Sequence, residues 1–150
     1  MNILGAIIAG IAGTIIMTLV LVMGPKMGMP KMDIVGMLGS MFSEKSNRTL
    51  GLILHFMMGI VFAVIYVLLW NAGIGYMSVL WGAIFGAVHW LISGLMMGIM
   101  GKMNAAVRAG VMENPGIYML NTGGVKAFMG GLIGHILYGV TVALVYGLFI

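Results

Sequence analysis

Cysteine is absent from the 150-residue chain, and charge is scarce: three acidic and seven basic side chains together make up 7% of it. The first absence removes any disulfide framework, thiolate metal site or thiol nucleophile. The second removes the polar surface that a water-soluble core needs, because an ordinary soluble domain is about one-quarter charged. The three acids, Asp33, Glu44 and Glu113, lie outside the apolar runs. No phosphate-binding glycine loop is present, and no serine sits in a nucleophile-elbow sequence beside a histidine. Ser93, four residues after His89, is the one such pair of note, and that spacing is common by chance. The chain therefore reads as non-catalytic. What is plentiful is apolar: 62% of residues are hydrophobic, with 25 glycines and 18 methionines. The natural solvent for such a chain is lipid.

Four charge-free stretches, residues 3–23, 51–70, 79–101 and 127–149, are each long enough to span a hydrocarbon core of about 30 Å as a helix. Helices satisfy their own backbone in lipid, whereas isolated strands do not. The first stretch has no basic segment before it and runs longer than a signal-peptide core, so it reads as a retained span. All seven basic residues fall in two connections: Lys26, Lys31, Lys45 and Arg48 in the first, Lys102, Arg108 and Lys126 in the third. The positive-inside rule then places both long connections in the cytoplasm and both termini outside. The basic residues form no stripe, so the net charge of +4 reports topology and not nucleic-acid binding.

Shifting the chain by 80 residues lays GLILHFMMGIVFAVIYVL over GLIGHILYGVTVALVYGL, with His55/His135, Gly59/Gly139, Ala63/Ala143 and Tyr66/Tyr146 among the identities. The same shift pairs Asp33 with Glu113 and Gly36 with Gly116. A shift of 76 pairs Gly10/Gly86, Ile16/Ile92, Leu19/Leu95 and Lys26/Lys102. The expectation is an all-α membrane protein, one domain over 1–150, made by tandem duplication of a two-helix hairpin (1–75 and 76–150) with a parallel pseudo-two-fold axis. Short interfacial helices are expected in the two long connections, the first capped by Asp33 and the second by Asn114 with Pro115 as its first residue.

In the repeated pattern H-x-x-x-G-x-x-x-A-x-x-Y, positions four apart share a helix face. Gly59 and Ala63, and Gly139 and Ala143, then form small-residue stripes for close helix packing; Gly10, Thr14 and Thr18 form another on the first helix. His55 and His135 share those stripes and point inward. Three readings compete for them. In one, each ring is packing glue, bonded to a threonine such as Thr14 or Thr18, to a tyrosine or to a carbonyl. In another, the pair ligates a haem b iron or another metal ion, with Lys45, Arg48 and Lys126 near the propionates. In the last, the rings serve a proton or ion path. His89 breaks the symmetry and is either a third member of an inward site, as a metal ligand, or a separate partner for a tyrosine or tryptophan. Methionine clusters at 27–32 and 96–103 suit Cu(I)-class soft ions by ligand softness and suit apolar filling equally by shape.

The run GPKMGMPKMDIVGMLGSMF, followed by LHFMMGIVFAVIY and closed by GHILYGVTVALVYG, resembles a group of small four-helix prokaryotic integral membrane proteins of unknown function. That resemblance implies the topology and brings no ligand or catalytic residue with it. The functional expectation is a non-catalytic membrane protein, an accessory or assembly subunit of a larger membrane complex or homo-oligomer that packs through glycine-rich faces in the bilayer. Haem or metal handling at His55 and His135 is the alternative, and a proton or ion path the further one.

Overall fold

Three of the four long helices start where a side chain replaces a missing backbone acceptor. Asn2 accepts from Gly5 N at 2.9 Å, Asn47 from Leu50 N at 3.0 Å and Ser78 from Trp81 N at 3.2 Å. The computed structural model, which describes residues 1–150, accordingly runs α1 (Ile3–Met23), α2 (Ile34–Gly39), α3 (Arg48–Asn71), α4 (Val79–Met103), α5 (Ala105–Arg108) and α6 (Leu120–Tyr146), with no strand. Helices α1, α3, α4 and α6 are long and apolar enough to cross a membrane, as a multi-pass protein requires. Successive long helices alternate in direction, which collects the seven basic residues at one end of the bundle, here called the basic end.

The last long helix starts differently. Asn114 does not cap a helix that begins at Pro115: its side chain accepts from Gly116 N at 2.9 Å, closing a local turn. A short 3-10 turn follows at Ile117–Met119, with Tyr118 and Met119 both left-handed at φ 52° and 57°. Helix α6 is then broken at Gly124, whose φ of 57° and ψ of −152° suit only a residue without Cβ. Irregular backbone of this kind at membrane depth is tolerated where protein or a cavity surrounds it.

Close packing runs α3–α1–α6–α4, and α3 and α4 make almost no backbone approach to each other. Small residues set the close pairs. A Cβ on Gly10 would stand 2.8 Å from Ile60 Cα and 2.9 Å from Gly59 O, and one on Gly13 would strike the Tyr138 ring. Gly82 and Gly139 each face the other's backbone carbonyl. Across the open seam the spacing is set by rings: Phe62 stacks on His89 at 3.6 Å between centroids, and Tyr66 and Trp70 both meet Phe85.

Two cores divide the bundle along its length. Away from the basic end lies an aromatic and alanine core that includes Tyr66, Trp70, Phe85, Tyr138 and Tyr146. Toward the basic end lies a core of Met32, Met37, Met97, Met119, Trp90 and Ala127. Helix α2 contributes to the second. Asp33 caps it, accepting from Gly36 N at 3.0 Å, and Met37 and Leu38 are buried beneath it. Asn104, fully buried, ties it to the end of α4 by donating to Met37 O at 2.8 Å.

Candidate functional site

Between the two cores the three histidines converge on one chamber of about 80 Å³, lined also by Phe62, Trp90, Ser93 and Tyr138. Helix α3 supplies His55, seven residues or about 10 Å along from its start; α4 supplies His89 and α6 supplies His135. Seven methionines line it as well: Met17, Met32, Met37, Met58, Met97, Met100 and Met119. No acidic side chain does.

Each ring has a different environment. His135 Nδ1 lies 2.8 Å from Gly131 O, one turn back on its own helix, and its Nε2 lies 3.3 Å from Ser93 Oγ on α4. His89 Nδ1 meets the Tyr66 hydroxyl at 3.2 Å and packs edge-on against His135, centroids 4.7 Å apart. His55 is 5% exposed and its Nε2 has no hydrogen-bond partner. The indole Nε1 of Trp90 is likewise buried and unpartnered. A buried polar atom left unpaired costs about 1–3 kcal/mol; of the three such side-chain atoms, His55 Nε2 and Trp90 Nε1 belong to residues that line this chamber, and the third, Trp70 Nε1, lies in the aromatic core.

The threonines do not serve the histidines. Thr14 donates to Gly10 O and Thr18 to Thr14 O, both at 2.7 Å, each bonding back into its own helix. Thr14 is fully buried against Gly59, where a Cβ would overlap its hydroxyl. Ala63 is buried at the same crossing, and Gly139 and Ala143 are buried against Gly82 on α4. These small-residue stripes are thus covered inside the chain. Tyr138 adds a bond across helices, donating its hydroxyl to Gly59 O.

A porphyrin does not fit between these residues. Ligand pockets of cofactor size run to roughly 300 Å³ or more, and His135 already has both ring nitrogens engaged. Nor do the three imidazoles close into a group with the spacing of a three-ligand metal centre. A metal here would draw on His55 and the thioethers. The hard divalent ions are disfavoured, because they take carboxylate and carbonyl oxygen and the chamber has no acid.

The acids sit outside. Asp33 pairs with Arg48 at 2.9 Å, and not with the nearer Lys31. Partial burial pushes the Asp33 carboxyl up, but the Arg48 bond, the Gly36 N–H and the Arg48 and Lys31 charges outweigh it and hold it below the usual range. Sequence spacing reveals neither the Ser93–His135 contact nor the chamber roles of Trp90, Met37 and Met119. The only available signal was that Ser93 and Trp90, three apart, share a face of α4 with His89 nearby. Compared with known protein families, curated proteins and solved structures, the chain matches none.

Proposed function

We propose that the chamber holds a soft monovalent metal ion of the Cu(I) or Ag(I) class, and that the protein handles such an ion within the cytoplasmic membrane. The carrying observation is His55 Nε2, buried without a partner in a chamber lined by thioethers. Imidazole and thioether together are the ligand chemistry of soft ions, and methionine alone would read as filler. A single positive charge asks less of a low-dielectric site than a divalent ion does, and the chamber has no carboxylate to neutralise more. The basic end would be cytoplasmic and both termini outside, as the distribution of lysine and arginine indicates.

On this reading the two hairpins are copies of one unit. Gly10 meets α3 at Gly59 and Ile60, and its counterpart Gly86 meets α6 at His135 and Ile136, one turn from the matched Gly139, so a matched glycine on the first helix serves the crossing in each hairpin although the register differs by a turn. Docking onto a larger membrane complex through glycine-rich faces is less favoured, because the stripes containing Gly10, Gly59 and Gly139 are occupied within the chain.

The test is titration of detergent-purified protein with Cu(I) against a chromophoric Cu(I) chelator, with Ag(I) as a redox-inert check. About one ion per chain is expected, with nitrogen and sulfur in the coordination shell by X-ray absorption. His55→Ala should lose it, whereas His89→Phe, on a ring engaged with Tyr66, should keep it. Wild-type protein that yields all its copper to the chelator would refute the proposal.

A further inference from the structure

We propose that Ser93 and His135 form a nucleophile and general base that act on a carboxylic ester entering the chamber. The pairing follows from hydrogen-bond logic. Gly131 O can only accept, so His135 Nδ1, 2.8 Å away, carries the ring proton and Nε2 presents its lone pair. The Ser93 hydroxyl, 3.3 Å from that Nε2, is then the donor. Its competing acceptor is the Trp90 carbonyl at 3.5 Å, the longer contact. Nucleophile, base and a third group that orients the base are the three parts of an activated serine. Here the orienting group is a backbone carbonyl.

Two features beyond the pair bear on the same chemistry. His135 is held in place, edge-on to His89 and 5.0 Å from the Trp90 ring, and His89 is in turn fixed by Tyr66 and Phe62. Trp90, one turn before Ser93 and lining the same chamber, has a buried indole N–H that lacks an acceptor. The developing oxyanion of an acyl-transfer intermediate supplies one. The sequence argued against hydrolysis because no serine adjoins a histidine in an elbow; the fold brings the histidine from another helix.

The chamber decides the substrate class. About 80 Å³ of mostly apolar lining suits an ester with a slender acyl chain, supplied either by a membrane lipid or by a small free ester. In the reaction, Ser93 Oγ bonds to the carbonyl carbon while its proton passes to His135 Nε2. The carbon–oxygen bond to the alcohol then breaks, and that proton leaves with the alcohol. Water repeats the sequence on the acyl-serine, releasing the carboxylic acid and restoring Ser93. The reading does not depend on metal: Ser93 and His135 bond each other and a backbone carbonyl, and neither is among the proposed soft-ion ligands, His55 and the methionines of the same chamber.

The experiment is to incubate purified full-length protein, with a copper chelator present throughout, with an alkyl fluorophosphonate and to map the adduct by mass spectrometry. A single adduct on Ser93 is expected. It should be absent in Ser93→Ala and slowed about 100-fold in His135→Gln, the scale of a lost general base. Unmodified wild-type protein, an adduct elsewhere, or wild-type labelling in a folded His135→Gln overturns the proposal, and the wild-type arm decides even if a variant fails to fold. Parallel assays with a short nitrophenyl ester and with phospholipid vesicles separate the two sources. Turnover of neither overturns the ester class.

Discussion

Replacing Gly139 by alanine adds one methyl group, at a point where the α4 and α6 backbones are in close contact. The new Cβ would overlap the Gly82 carbonyl oxygen and stand 3.0 Å from both Gly82 C and Gly86 N. All three atoms are backbone, so no rotamer change relieves the clash and the helices must separate. A gap of 0.5–1 Å forfeits about a quarter to a half of each van der Waals contact along the seam. Overpacking of this kind costs about 1–3 kcal/mol, and the upper half of that range is expected here because the obstruction is a carbonyl. Gly147→Ala is the matched control. Its Cβ would sit 3.4 Å from the flexible Met77 side chain, at a φ of −59° that alanine adopts freely, so stability should hold or rise by up to about 1 kcal/mol. The assay is reversible unfolding in mixed micelles, read by far-UV circular dichroism against the mole fraction of denaturing detergent. Equal midpoints for Gly139→Ala and Gly147→Ala would refute close backbone approach as the basis of the α4–α6 pair.

Asn104→Ala removes both the cap of α5 and the donor to Met37 O, and should cost about 2 kcal/mol while increasing amide exchange across residues 34–39; unchanged exchange there would mean that α2 is held by burial alone. Because the Asp33 carboxyl is depressed, its contribution is fully present above the unfolded carboxylate value near pH 4 and is lost as pH falls through the lower folded value. With the partners 62% and 39% exposed, Arg48→Gln should lower stability by no more than about 1 kcal/mol at pH 7, and the gap from wild type should begin to narrow below about pH 4; a gap that does not narrow at all between about pH 4 and about pH 2 would show that Arg48 acts other than through Asp33.

Hydropathy read the spans well because burial in lipid leaves few polar exceptions. The expected 3–23 and 79–101 compare with Ile3–Met23 and Val79–Met103. Helix α3 begins at Arg48, three residues before its apolar run, because the Asn47 cap draws Arg48 and Thr49 into the first turn. The start of α6 was hidden for the opposite reason. Asn114 and Pro115 carry the signature of a helix start, but Gly116 takes a φ of 69° and turns the chain, and the helix waits until Leu120. Periodicity placed His55 and His135 on inward faces. It carries no information on which helix lies opposite, so it allowed threonine, tyrosine or a carbonyl without selecting among them; the fold gives His135 a glycine carbonyl and Ser93, and gives His89 Tyr66. Contacts within a helix follow from spacing; contacts between helices follow from rotation about each axis, which side-chain volumes decide together.

Those volumes also explain why the chamber lies where it does. If the two hairpins are copies, a two-fold axis relates the α1–α6 contact to the α4–α3 contact, and exact symmetry would make both equally close. At matched positions α1 has Gly13 and α4 has His89. Gly13 lets the Tyr138 ring lie directly on the α1 backbone, and α1 and α6 close together. His89 instead meets Phe62 ring to ring, so α3 stands off from α4 by the thickness of stacked side chains. One closed seam and one propped seam leave a gap beside the propping rings: the lining residues Met58 and Ser93 lie about one turn from Phe62 and His89 on their own helices, and His135 meets His89 edge-on from α6. The third histidine, which reads in the sequence as an exception to the repeat, is on this account the residue that keeps the bundle from closing over its own site.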